Sequence, residues 1–253
     1  MKTFSASPIL FPAYHRVNDT FGEVNKLNFG GRLYGLLYDT DIDLLFLVGE
    51  SKTNRFGFDF SRNITTNLEV HGEFAFIKNQ QKTSVDSTGN TSLSKYDATS
   101  FLLGLRYLSS MDTTYLFEYY HNGTGFSSSE LQGFFSFTDK AFDIWESTGK
   151  KKQFLKAETL YRGNYGKMNP GKDYLYLRIS QKEPFNILYF TPALTTIINL
   201  DDQSFSISPE LLYTAIKNWE FRLKGMALVG SKGTEFGEKQ NDYRIDFRVR
   251  YYF

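Results

Sequence analysis

The chain has 253 residues, with 29 Lys and Arg against 28 Asp and Glu and a formal net charge of +1. That balance gives no electrostatic case for binding nucleic acid or an acidic membrane surface. The absence of cysteine removes disulfides, thiolate metal sites and thiol nucleophiles together.

Aromatic content is high, 17 % with 25 Phe and 17 Tyr. Mean hydropathy is only −0.39, and no run approaches the ~18 apolar residues of a transmembrane helix. Rings in that number suit the interfacial girdles of a transmembrane barrel, whose mean hydropathy stays low because alternate residues face its lumen.

The chain opens MKTFSASPILFPAYHR. Its apolar stretch is broken by Pro8 and Pro12, unlike the uninterrupted run of a secretory signal. Residues 1–25 read as an N-terminal extended segment, and the two prolines argue against a central paired strand there.

From residue 26 onward, period-2 alternation recurs between turn residues. It predicts strands near Lys26–Tyr38, Asp41–Gly49, Arg55–Asn63, Asn67–Lys78, Ala98–Ser109 and Thr113–His121. Further strands follow near Asp173–Gln181, Ile187–Leu200, Ser204–Ile216, Trp219–Ser231 and Asp242–Phe253. In NRFGFDFSR the rings of Phe56, Phe58 and Phe60 share one face, opposite Arg55, Gly57, Asp59 and Ser61. The Ile187–Leu200 segment is apolar or neutral on both faces and contains Pro192, which weakens it as a strand.

Short connections alternate with longer polar ones at Asn79–Asp97, Asn122–Lys172 and Lys232–Asn241. That segregation is the pattern of a transmembrane barrel with short turns on one side and loops on the other. The loop over 122–172 is too long to be structureless. Ser127–Ser129 are capping candidates before an apolar series from Leu131 to Trp145, and KKQFLKAETLYRG predicts a second short helix.

Alternation also assigns a polar face. Its cations are Arg32, Arg55, Arg106, Arg178, Arg222, Lys224, Arg244, Arg248 and Arg250. Its anions are Asp41, Asp43, Asp59, Glu69, Glu73, Glu118, Glu210, Glu220 and Asp246. The signs nearly balance, except for a local basic ladder on the last two strands. Such a ladder is either one wall of an anion-attracting path or a set of cross-strand pairs that neutralise one another.

His71 lies between Glu69 and Glu73, a spacing compatible with a metal or a general base, although an ion-pair network explains it more simply. No phosphate loop or zinc cluster is present, and no cofactor is implied.

The final strand, DYRIDFRVRYYF, places Tyr243, Ile245, Phe247, Val249, Tyr251 and Phe253 on one face, with Arg244, Asp246, Arg248 and Arg250 on the other. It resembles the C-terminal strand of Gram-negative outer-membrane β-barrel proteins. The resemblance implies an antiparallel up-and-down transmembrane β-barrel over residues 26–253, with about 11–12 strands in this chain and the 122–172 loop extracellular. It implies that Phe253, Tyr251 and Val249 form the signal read by the outer-membrane assembly machinery.

A periplasmic C-terminus and an even strand number then require at least one strand before Lys26. The prolines favour further strands upstream over residues 5–16 in that role.

The expected function is a porin-like channel passing small solutes through outer-membrane lipid. The alternative is a structural or partner-binding barrel plugged by the 122–172 loop. A membrane enzyme comes third: YYHNGTG around His121 resembles the His-and-Ser region of outer-membrane phospholipase A, but position 123 is Gly where the nucleophilic Ser would stand. Alternation fixes neither the solute nor the oligomeric state.

Overall fold

A computed structural model of the chain describes residues 3–253. Twelve antiparallel strands pair in chain order as one up-and-down sheet. They are β1 (Thr3–Ala13), β2 (Lys26–Leu37), β3 (Thr40–Gly49), β4 (Arg55–Asn63), β5 (Leu68–Val85) and β6 (Thr91–Leu108). The remainder are β7 (Thr113–His121), β8 (Asp173–Gln181), β9 (Phe190–Asn199), β10 (Phe205–Tyr213), β11 (Trp219–Val229) and β12 (Tyr243–Tyr251). Pairing does not return from β12 to β1 among the described residues, so the sheet is open with two edges.

The chain forms two compact units. The first takes in the chain as far as Lys82, with Leu93–Leu105 and His121–Thr124; the second comprises Thr83–Ser92, Arg106–Tyr120 and Gly125–Phe253.

In the first unit, residues expected to lie outside the sheet form β1, which pairs with β2 from Thr3↔Leu36 to Ala13↔Lys26. Proline is excluded from strand interiors because it has no N–H for the ladder. β1 is an edge strand with a single neighbour, so Pro8 and Pro12 cost it nothing on the open side. The objection drawn from the prolines applies to a central strand, and β1 is not one.

Asn79–Asp97, expected as a loop, is mostly a continuation of β5 and β6, each 18 residues long. Only residues 86–90 turn. Asp86 explains that turn: its Oδ1 accepts from the Thr88 N–H, the Thr88 hydroxyl and the Asn90 N–H. Gly89 follows at φ +91°, a conformation that side chains disfavour.

In the second unit, β9 and β10 each carry a proline although both are central. Pro192 stands opposite Leu211, and Pro209 opposite Leu194. The ladder from β10 to β11 skips Ser208 and Pro209, resuming at Glu210↔Lys224. Gly225 is where that ring needs space: a Cβ there would lie 3.2 Å from Pro209 Cγ.

The long loop folds as expected into helices α1 (Ser128–Thr148) and α2 (Lys152–Leu160), with a π-helical turn at Tyr161–Tyr165. Ser127 caps α1 in a reciprocal box with Glu130, and Gly149 closes it in the left-handed conformation. Phe126, Leu131, Phe134, Phe137, Ala141, Ala157 and Tyr165 form a core with Val85 of β5. The Tyr165 ring stacks between Phe126 and Phe134 at 4.0 Å from each. Its hydroxyl accepts from the Val85 N–H at 3.1 Å, and burial pushes that hydroxyl's pKa up to about 12.

Candidate functional site

Cross-strand register decides which charges meet, because residues directly opposite share a face. In the first unit, Ile42, Leu44 and Phe46 of β3 face Phe60, Phe58 and Phe56 of β4. Those rings in turn meet Gly72, Phe74 and Phe76 of β5, so this face is apolar across these three rows. The other face carries Asp43, Asp59 and Glu73 in one row, with Asp41, Ser61 and His71 in the next. Strands stand ~4.8 Å apart, so the row of three carboxylates is tight.

Arg32 neutralises one of them, donating from Nε and Nη2 to the two Asp43 oxygens at 2.5 and 2.7 Å. Asp59 and Glu73 have no ion-pair or hydrogen-bond partner among the described residues. Arg55 lies four positions before Asp59 on the same face and, among the described residues, its side chain bonds only to the Thr53 carbonyl at 3.5 Å. Between these poles the polar face turns apolar. Ile9, Leu45, Leu47, Ala75 and Ile77 line a groove of about 800 Å³ that Arg55, Asp59 and Glu73 border.

Glu69 accepts from the Ser61 hydroxyl at 3.3 Å and sits 3.7 Å from His71 Nδ1. No set of three or more His, Asp or Glu side chains among the described residues is grouped to hold a metal ion. His121 stacks on Phe101 at 5.3 Å. Gly123 beyond it has no room for a side chain, since a Cβ would stand 2.0 Å from the Thr99 carbonyl oxygen. A serine nucleophile two residues after the histidine is therefore sterically excluded.

In the second unit the basic ladder resolves into pairs and exceptions. Glu210, Arg222, Lys224, Arg244, Asp246, Arg248 and Arg250 share one face of β10–β12 with Glu220. Glu220 bridges Arg222 at 3.6 Å and Arg250 at 3.7 Å, and accepts from the Tyr252 hydroxyl at 3.1 Å. Glu210 lies 3.8 Å from Arg222, and Asp246 holds Arg244 at 2.8 Å. Arg248 stands directly opposite Arg222, and Lys224 opposite Glu210 and Asp246, yet neither makes an ion pair within 4.0 Å among the described residues. The ladder is thus partly neutralised and keeps two exposed, uncompensated cations. Glu118 lies on β7, half-buried and two residues before Tyr120, whose ring stacks near Tyr174.

On the opposite face Trp219 meets Tyr251, Phe221 meets Val249 and Leu223 meets Phe247. Tyr251 packs 4.9 Å from Trp219 and 5.2 Å from Phe253, which is fully exposed.

Sequence reasoning missed a third cluster, at the loop before β12. Glu235 is 2 % exposed and accepts from the Tyr174 hydroxyl at 2.5 Å and from Asn199 Nδ2 at 2.9 Å. Its own N–H donates to Asp202 at 2.6 Å. Burial raises the Glu235 pKa, against the two hydrogen bonds that lower it. Nothing in the alternation marks an acid at this position, because its partners are distant in sequence.

No protein-family model matches the chain, and no curated protein does.

Proposed function

We propose that the chain is an integral outer-membrane β-barrel of the porin-like kind, a passive channel for small solutes. One observation carries the reading: the sheet keeps an apolar face uncovered. In the first unit Leu33, Leu44, Phe56, Phe58 and Phe74 are exposed; in the second, Trp219, Leu223, Ile245, Phe247 and Val249 are. Soluble monomers rarely leave contiguous apolar patches beyond a few hundred Å². Hydrocarbon is the solvent that accepts such a face, and the charged face behind it then borders the solute path.

The reading requires the open edges of β1 and β12 to be paired in the membrane, since lipid cannot satisfy free strand N–H and C=O groups. Pro8 and Pro12 then stand in a strand with two neighbours, as Pro192 and Pro209 already do on β9 and β10. Phe253 beside Tyr251, which packs on Trp219, supports the reading as part of an interfacial aromatic group.

The test is single-channel recording from detergent-purified full chain in planar bilayers. Stepwise, ion-dependent conductance is expected. Recovery of the folded chain in the soluble fraction without detergent overturns the membrane assignment.

A second reading has its own support. The 122–172 segment carries a hydrophobic core, as a plug or docking element would. Near-zero conductance that appears only on deleting 122–172 favours that reading over an open pore.

A further inference from the structure

We propose that the groove on the polar face of β1–β5 binds short zwitterionic peptides with an apolar side chain. This deepens the channel reading and rests on it for the groove's place on the solute path.

The groove has two poles and an apolar floor. Its cationic pole is Arg55, half-buried, whose guanidinium spends one N–H on the Thr53 carbonyl and meets no carboxylate among the described residues. Its anionic pole is Asp59 with Glu73 directly opposite; neither makes an ion pair among the described residues, and Arg32, whose charge partly offsets that of Asp59, is itself held on Asp43 through both oxygens. Two carboxylates a strand apart repel one another, and a bound ammonium relieves that repulsion. A carboxylate likewise fills the open donors of Arg55, in the bidentate geometry that guanidinium favours.

Leu45 and Ala75 lie between the poles, either side of Gly57, and Leu47 and Ile77 flank Arg55; together they give an apolar side chain a surface. Gly57 sits midway on β4 and leaves the floor open to backbone approach.

Spacing sets ligand length. Arg55 and Asp59 are four residues apart on β4, about 13 Å between Cα atoms at ~3.3 Å per residue. Both side chains reach into that gap. What remains suits an extended peptide of two or three residues, ~7–10 Å long. A free amino acid is too short to touch both poles at once. An uncharged solute leaves both unsatisfied, and a simple anion or cation answers only one.

The experiment is calorimetric titration of the full chain in detergent micelles with phenylalanyl-alanine. The comparison ligands are its N-acetyl form, its C-terminal amide and the doubly blocked form, with free phenylalanine as a length control. Saturable millimolar binding of the free dipeptide is expected, at least tenfold weaker when either charge is blocked. Phenylalanine is also expected to bind at least tenfold more weakly. Arg55→Gln should abolish the preference for a free carboxylate, and Asp59→Asn with Glu73→Gln the preference for a free ammonium.

Equal affinity for free and doubly blocked dipeptide overturns the proposal, as does the absence of saturable binding by protein whose β-sheet circular dichroism is intact. The blocked ligands test the wild-type chain and do not depend on any variant folding. Planar-bilayer conductance separates the two claims: a conducting channel without binding refutes the peptide site alone, and binding without conductance refutes the channel.

Discussion

Replacing Phe137 by Ala should melt the helical segment well before the sheet. Phe137 is 1 % exposed, in a core supplied by α1, α2, the π-helical turn and Val85. Deleting a fully buried Phe side chain costs the lost transfer free energy plus a cavity term, together ~3–5 kcal/mol. The upper half of that range applies, because Leu131, Phe134 and Ala141 share the rigid α1 with Phe137 and cannot collapse onto the void. The chain has two tryptophans, so a Trp219→Phe background leaves Trp145 of α1 as the sole fluorophore and local reporter. Urea titration of the full chain should show the Trp145 midpoint falling while β-sheet circular dichroism holds. Leu155→Ala, at 52 % exposure on α2, is the control and should cost under ~1 kcal/mol.

Gly89 provides an internal check, since a Cβ there would lie 2.6 Å from the Phe137 ring. Gly89→Ala should therefore be strongly destabilising in the wild type. In the Phe137→Ala background the clash is gone, and only the strain of φ +91° remains, ~1–3 kcal/mol. A Phe137→Ala loss under 1 kcal/mol, or additive costs in the double variant, would refute this account of the packing.

Exchanging the uncompensated cations, Lys224→Glu with Arg248→Glu, should move ion selectivity toward cations, read as the reversal potential across a salt gradient; an unchanged potential means these residues do not border the path. Glu235 titrates in the fold above its unfolded value because it is buried beside Asp202, with Tyr174 and Asn199 donating to it and Lys239 opposing the shift. Its contribution to stability is fully present below about pH 4.3, the ordinary Glu value, and is lost as pH rises through the higher folded value. Glu235→Gln should therefore flatten the fall in melting temperature over that window, and an unchanged slope would count against burial as the cause.

Asp86 has the opposite sign: its hydrogen bonds to Thr88 and Asn90 lower its pKa, so its contribution is present at neutral pH and lost on acidification below about pH 4. Asp86→Ala should lower the Trp145 melting midpoint at pH 7, and the gap to the wild type should narrow steadily as the pH falls below about 4. Gly123→Ser should fail to give folded protein, since the Thr99 backbone occupies the Cβ position; a normally folded Gly123→Ser chain would show that backbone to be adaptable.

Alternation by itself determined most of this architecture. Which residues share a face is a local property of the pleat, so Phe56, Phe58 and Phe60 could be separated from Arg55 and Asp59 before any partner strand was known. The capped helix after Ser127 was legible for the same reason, because a capping box spans only four residues. What depended on distant partners was not legible.

Whether Pro8 and Pro12 forbid a strand turns on whether that strand has one neighbour or two, and only the tertiary pairing makes β1 an edge. The Asn79–Asp97 segment lacks an alternating apolar face, so its pairing as an extended hairpin rests on backbone bonds, the Asp86 turn and the packing of Val85 into the core of the distant helices. The charged positions of the polar face were readable one by one, but their partners were not. Register across strands binds Arg32 to Asp43 and leaves Arg55, Asp59, Glu73, Lys224 and Arg248 with charge to spare. A sequence carries the period of the pleat along each strand, whereas the neutralisation of a charge is settled across strands, at spacings only the fold provides.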